Sequence, residues 1–211
     1  LTIVVFLSNN FLSMNTQNPL LSIVIPALNE EDNVIPLYQE IRKVCQEHHF
    51  SYEIIFVNDG STDETSNRLK TLKPVKIINF RKRSGQTAAM DAGIKHSTGK
   101  IIITMDADRQ NDPNDIPKLL NKLSEGYDVV SGWRKNRQDP FLKKFTSRGA
   151  NLLRKILVDD GIQDSGCTLK AYKRECFEQV DLYGESLVHL QSYQFYLLDH
   201  SDSKLTGCVL A

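Results

Sequence analysis

Two hydrophobic rhythms alternate along this chain. Short continuous apolar runs, which predict buried strands, are separated by stretches where apolar residues return every three to four positions, which predict helices. Leu21–Ile25, Tyr52–Val57, Val75–Phe80, Lys100–Met105 and Tyr127–Ser131 read as strands. Between the first two, Asn29 is placed to cap a helix, with Asp32 three residues on and Val34, Leu37, Tyr38, Ile41 and Val44 on one apolar face. Ser61 with Glu64 has the form of a capping box for the next helix. Ser84 is placed to cap another that runs to about Ser97 and is stopped by Gly99. Asp112-Pro113 reads as an N-cap with proline at the first helical position, ahead of Ile116, Leu119, Leu120 and Leu123, with Gly126 as the terminator. Residues 143–158 are expected to be helical as well, through Phe145, Leu152, Leu153, Ile156 and Leu157.

Strands and helices that alternate at this spacing predict an α/β domain with a mostly parallel sheet and helices on both faces. A chain of 211 residues that is 40% hydrophobic is large enough to bury a core for one such domain. Met14 lies just before the first clear strand, so residues 1–20 are expected to be an extension and residues 21–185 the domain. Leu1 to Leu7 is apolar but short and without a basic flank, which argues against a signal peptide. No apolar run approaches the roughly 20 residues that span a bilayer.

Charge and cysteine usage narrow the function. Formal net charge is zero, which disfavours a general nucleic-acid binder. Cys45, Cys167, Cys176 and Cys208 form no CxxC pair and fit reduced thiols in the cytosol. The five histidines show no HxxxH spacing, so zinc is not expected.

Ligands of open α/β sheets bind outside the carboxyl ends of the strands, so the residues just beyond each strand carry the functional signal. Ile101-Ile102-Ile103-Thr104-Met105-Asp106-Ala107-Asp108 delivers two carboxylates from a buried run. Two such groups stay ionised together most cheaply with a divalent cation between them and a ligand phosphate. After the first strand come Pro26, Ala27, Leu28, Asn29 and Glu30, which alone read as a turn and a cap. After the second comes Asn58-Asp59-Gly60-Ser61, where Asp59 either accepts from a base or ribose or serves ordinary turn chemistry. Three polar clusters at three strand ends on one sheet edge point together to an enzyme handling a nucleoside diphosphate.

The segments SIVIPALNEE (22–31), VNDGSTD (57–63) and MDAD (105–108) resemble the three blocks of family 2 glycosyltransferases with the GT-A fold. NFRKRSGQTAAM (79–90), QNDP (110–113), DVVSGWRK (128–135) and DSGCTLKAY (164–172) are similar to the polyprenyl-phosphate branch of that family. The resemblance implies an inverting transfer of a hexose from a nucleotide-diphosphate sugar, of UDP-glucose or GDP-mannose type, to a polyprenyl (undecaprenyl or dolichyl) phosphate. It also implies that Pro26, Ala27, Asn29, Glu30, Asp59, Asp106, Ala107 and Asp108 bind the donor. Asp106 and Asp108 would carry the catalytic role and, with Gln110, hold Mg²⁺ or Mn²⁺. Arg134 and Arg148 would contact the acceptor phosphate.

Around those two arginines lie Lys135, Arg137, Lys143, Lys144, Arg154 and Lys155 against a lone Asp139. The run reads either as a solvated face or as a patch for an anionic membrane surface, which would place the protein peripherally on the cytoplasmic face of the membrane. Two departures from the family stand out. Arg109 replaces the usual leucine, either to touch a phosphate or to point to solvent. Residues 186–211, beginning SLVHLQSYQF, lack the family's Met-His-Arg-Phe-like segment, as a truncated or frameshifted gene would. A non-catalytic remnant that still binds nucleotide sugar is therefore the alternative to an active transferase. A haloacid dehalogenase-type phosphatase, a sugar nucleotidyltransferase and a dinucleotide-binding enzyme each lack their own motif context here.

Overall fold

The computed structural model describes residues 20–132 and 167–177, together with the backbone of residues 3–6 and 207–209. Eight strands among these residues form one sheet: β1 (Ile3–Phe6), β2 (Leu21–Ala27), β3 (Tyr52–Asn58), β4 (Lys76–Phe80), β5 (Ile101–Thr104), β6 (Val129–Ser131), β7 (Lys170–Lys173) and β8 (Gly207–Val209). Their spatial order is β1-β4-β3-β2-β5-β7-β6-β8. The helices are α1 (Val34–Glu47), α2 (Thr65–Lys70), α3 (Gln86–Lys95) and α4 (Ile116–Ser124). The expected α/β architecture is present, and the five predicted strands, β2 to β6, each begin and end within a few residues of their predicted places.

The block β4-β3-β2-β5 is parallel throughout. Its apolar runs alternate between two cores, because successive strand side chains point to opposite faces. Leu21, Ile23, Ile25, Ile54, Phe56 and Ile103 face α1, α2 and α4. Val24, Ile55, Val57, Ile78 and Ile102 face α3. On α1, Val34, Leu37 and Ile41 are fully buried. At about 1.5–3 kcal/mol for each such side chain removed from water, this stripe holds the helix far more firmly than its propensity does.

The outer strands differ from the sequence expectation. β6 does not lie beside β5; β7 runs between them, antiparallel to both. The pattern Lys170-Ala-Tyr-Lys conceals this strand because Lys170 is charged yet buried. The stretch read as an N-terminal extension contributes β1, antiparallel to β4. The helix expected at 143–158 lies outside the described residues.

Three expected helix caps act otherwise. Helix α1 starts after Asn33, and Asn29 takes a left-handed conformation with φ 56°. Helix α2 starts after Glu64, so Ser61 lies outside it and accepts from the Asn29 amide at 3.0 Å. Helix α3 starts after Gly85, not Ser84. It ends at Lys95 with His96 as its cap, before Gly99, whose amide donates to Ser22 Oγ at 2.7 Å. Asp112 caps as expected, accepting from the Asn114 amide at 2.9 Å.

A polar clasp closes the edge of the sheet opposite the strand ends that carry the candidate site. Glu53 accepts from Ser22 Oγ at 2.6 Å, Lys76 Nζ at 2.9 Å and the Thr98 amide at 2.6 Å. Burial alone would raise the Glu53 carboxyl, but these hydrogen bonds outweigh it and hold the group below its ordinary range.

Candidate functional site

Strand order reverses at β2: β3 and β4 are added on one side of it, and β5 on the other. Such a switch point leaves a crevice beyond the carboxyl ends of the strands. Here a cleft of about 240 Å³ is lined by Pro26, Ala27, Leu28, Glu30, Asp59, Arg83, Gln86, Asp106, Ala107 and Asp108. Seven of these were singled out from sequence: Pro26, Ala27, Glu30, Asp59, Asp106, Ala107 and Asp108.

The loops after β2 and β3 are sewn together by side chains. Thr62 donates its amide to Asn29 Oδ1 at 2.9 Å, and Glu30 donates its amide to Thr65 Oγ1 at 2.8 Å. Asn29 thus shapes the rim without lining the cleft. At the end of β3, Asn58 donates through Nδ2 to Asn79 Oδ1 at 2.9 Å, which ties β3 to β4.

Asp59 is buried. Its two oxygens accept the amides of Ser84 and Gly85, at 2.6 Å and 2.9 Å. Its observed partners are therefore backbone donors of the loop that carries Arg83 to the cleft. Gly60, at φ 70°, lies under that loop: a Cβ there would be 2.5 Å from the Lys82 carbonyl carbon. No side chain larger than hydrogen fits without moving the loop.

Asp106 and Asp108 emerge side by side where β5 ends. The Gln86 amide nitrogen donates to Asp106 Oδ1 at 2.6 Å, and the Gln110 backbone amide donates to Asp108 Oδ1 at 3.0 Å. Carboxylate oxygens are the donors Mg²⁺ and Mn²⁺ prefer, and two suffice when water and ligand oxygens complete the shell. The pair therefore fits such an ion. Among the described residues, no group of three His, Cys, Asp or Glu side chains is arranged to hold a metal. The Gln110 side chain is exposed and outside the cleft lining. Arg134 and Arg148 lie outside the described residues.

Leu28, Arg83 and Gln86 were not singled out from sequence. The last two lie beyond the third predicted strand, within the segment 79–90 that carries the family resemblance without marking either residue as part of a site. The basic triplet Arg81-Lys82-Arg83 and a helix opening after Gly85 were the signals there.

A parallel α/β block with two carboxylates and the Arg83 side chain lining the crevice at its switch point is the architecture of a GT-A-type domain. Residues 22–181 match the family model described as glycosyl transferase family 2, and the chain belongs to that family. The chain is 41% identical over 172 residues to dodecaprenyl-phosphate galacturonate synthase of Rhizobium johnstonii, covering 78% of this chain and 51% of the relative. It is 38% identical over 162 residues to undecaprenyl-phosphate 4-deoxy-4-formamido-L-arabinose transferase of an Enterobacter species, covering 74% and 50%. These relatives agree with the resemblance to the polyprenyl-phosphate branch. The chain spans about half the length of these curated relatives. The fold matches glucosyl-3-phosphoglycerate synthase of Mycobacterium tuberculosis, solved with Mn²⁺, UDP and phosphoglyceric acid, with a TM-score of 0.72 at 20% identity over 90% of this chain and 68% of that one. Among the described residues, no helix is long and apolar enough to cross a membrane.

Proposed function

We propose that this chain supplies the donor site and the catalytic carboxylates of an inverting glycosyltransferase. A hexose passes from a nucleotide-diphosphate sugar, of the UDP-glucose or GDP-mannose type, to a polyprenyl phosphate at the cytoplasmic face of the membrane. The observation that carries this reading is the convergence of Pro26, Ala27, Glu30, Asp59, Asp106, Ala107 and Asp108 on one cleft. The bacterial relatives share a polyprenyl phosphate in their names and differ in the sugar, so the acceptor is the better supported half of the proposal.

Asp106 and Asp108 would hold Mg²⁺ or Mn²⁺, with Gln110 as a third candidate. The ion supplies neutralisation of the charge that builds on the departing diphosphate. Gln86 keeps the Asp106 carboxylate turned toward the cleft. Asp59 fixes the loop from which Arg83 offers a positive charge to the diphosphate. A phosphate monoester is already ionised near neutral pH, so the acceptor needs no strong general base. Its oxygen forms the new bond to the anomeric carbon, the bond to the diphosphate oxygen breaks, and the nucleoside diphosphate leaves with the electron pair. Attack opposite the leaving group inverts the configuration.

Titration with UDP and GDP, in Mn²⁺ and in EDTA, tests the donor half. Metal-dependent binding that is lost in Asp108→Asn, with the fold retained, supports the proposal, and affinity indifferent to both removes it. Transfer from radiolabelled donor to polyprenyl phosphate in anionic vesicles tests the acceptor half. Arg134→Ala with Arg148→Ala should abolish that transfer and the salt-sensitive vesicle binding that precedes it. Donor binding without transfer would instead support the nucleotide-sugar-binding remnant.

A further inference from the structure

Arg109 directly follows Asp108, and it neither enters the cleft nor points away unpartnered. Its guanidinium Nη2 donates to Glu40 Oε1 at 2.6 Å. Glu40 projects from α1, a helix held by buried Leu37 and Ile41 on either side of it in sequence. The backbone at Arg109 is left-handed, with φ 60°, a conformation that few residues other than glycine, asparagine and aspartate adopt readily. Across it, the Gln110 amide reaches back to Asp108 Oδ1 at 3.0 Å. The carboxylate-bearing turn is therefore strained at its middle residue, and that residue's side chain is tied to a rigid helix outside the site.

We propose that the Arg109–Glu40 pair is a latch that positions Asp108. The latch holds the left-handed turn in place, so that the Asp108 carboxylate is oriented before any ligand arrives. A strained turn persists only where its surroundings over-determine it. Here one restraint is the Asp108–Gln110 hydrogen bond, and the other is the ion pair. Without Glu40, the turn can relax toward ordinary backbone angles, and Asp108 must then be reordered at each binding event, which weakens affinity. The inference rests on the proposed role of Asp108 in binding a metal–diphosphate ligand. It adds Arg109 and Glu40 as positioning residues that touch neither metal nor substrate.

An exposed pair carries a modest energy, so the expected effects are modest and salt-dependent. Glu40→Gln should weaken Mn²⁺-dependent binding of UDP or GDP about fivefold at low ionic strength. The loss should shrink in high salt, since both side chains are well exposed, at 42% and 40%. Arg109→Leu should cost a similar factor, and adding Glu40→Gln to it should cost nothing more. With no ligand present, hydrogen exchange of the Gln110 amide should accelerate in Glu40→Gln while amides in α1 and β5 keep their protection. Because exchange needs no ligand, it separates failure of the latch from failure of the metal-site reading. Unchanged exchange at Gln110 in Glu40→Gln overturns the latch, as does a double variant whose loss is the product of the two single losses.

Discussion

Gln86 is one residue on which the donor site depends more than its exposed position indicates. Its amide holds Asp106 at 2.6 Å. A hydrogen bond to a charged group contributes about 1.5–3 kcal/mol, less where water competes, as it does here. Gln86→Ala should therefore reduce Mn²⁺-dependent nucleotide affinity by roughly tenfold and leave the melting temperature nearly unchanged. Calorimetric titration beside a thermal melt checks both halves, and equal affinity would remove Gln86 from the machinery. Cysteines behave in the opposite way. Burial pushes the Cys45 thiol up to about 12 and the half-buried Cys176 up to about 11. Neither should react with iodoacetamide at neutral pH until the chain unfolds, because the thiolate is the nucleophile. Mass spectrometry after a short alkylation pulse reads this directly.

Among the elements, the turn after β3 and the loop before α3 act as one unit, with Gly60 pressed beneath Lys82 and Arg83. Gly60→Ala forces an L-residue to φ 70° and a methyl group against backbone. Strain and clash together should cost about 2–3 kcal/mol and displace Arg83, lowering nucleotide affinity with it. Gly126→Ala is the control. It is also strained, at φ 108°, but a Cβ there meets nothing within 4 Å and the residue is not in the cleft lining. That variant should lose stability without losing affinity. A titration showing equal binding by both variants would separate the turn from the site.

The elements also show what could be read in advance. Runs such as Ile23–Ile25 and Ile101–Ile103 betray buried parallel strands, since both faces of the sheet are covered and both sets of side chains must be apolar. Asp106 and Asp108 were legible for the same reason: a charge at the end of such a run has few structural excuses. Asn29, Ser61 and Ser84 were misread because a polar residue ahead of a helix suits a cap and a loop tether equally well, and tertiary contacts decide between them. β7 was hidden by Lys170 and Lys173, one of them buried on a short strand where alternation cannot show. The partnership of Arg109 with Glu40, 69 positions apart, leaves no local signature.

For the whole molecule, the Glu53 clasp predicts a definite acid response. The folded-state carboxyl lies below its ordinary value of 4.5. Its contribution is fully present above that value and is lost as pH falls through the folded one. Denaturant midpoints should therefore drop on acidification from neutral pH into the carboxylate range. Glu53→Gln should flatten part of that slope and cost about 2 kcal/mol at neutral pH, between an exposed and a buried ion pair. An unaltered slope in the variant would assign the acid sensitivity elsewhere.

The placement of β7 has a consequence for how this protein is made. Ribosomal synthesis delivers β5 and then β6 well before residues 170–173, the strand that must slide between them. Until then the nascent chain carries the aspartate strand with one bare flank, its amides and carbonyls ready to bind any passing strand. Codon pace and chaperone coverage over the stretch after Ser131 should therefore govern soluble yield more than they do elsewhere. Translation arrested at residue 166 should leave a nascent chain that cross-links to holdase chaperones. Arrest far enough downstream for residues 170–173 to clear the exit tunnel should release them.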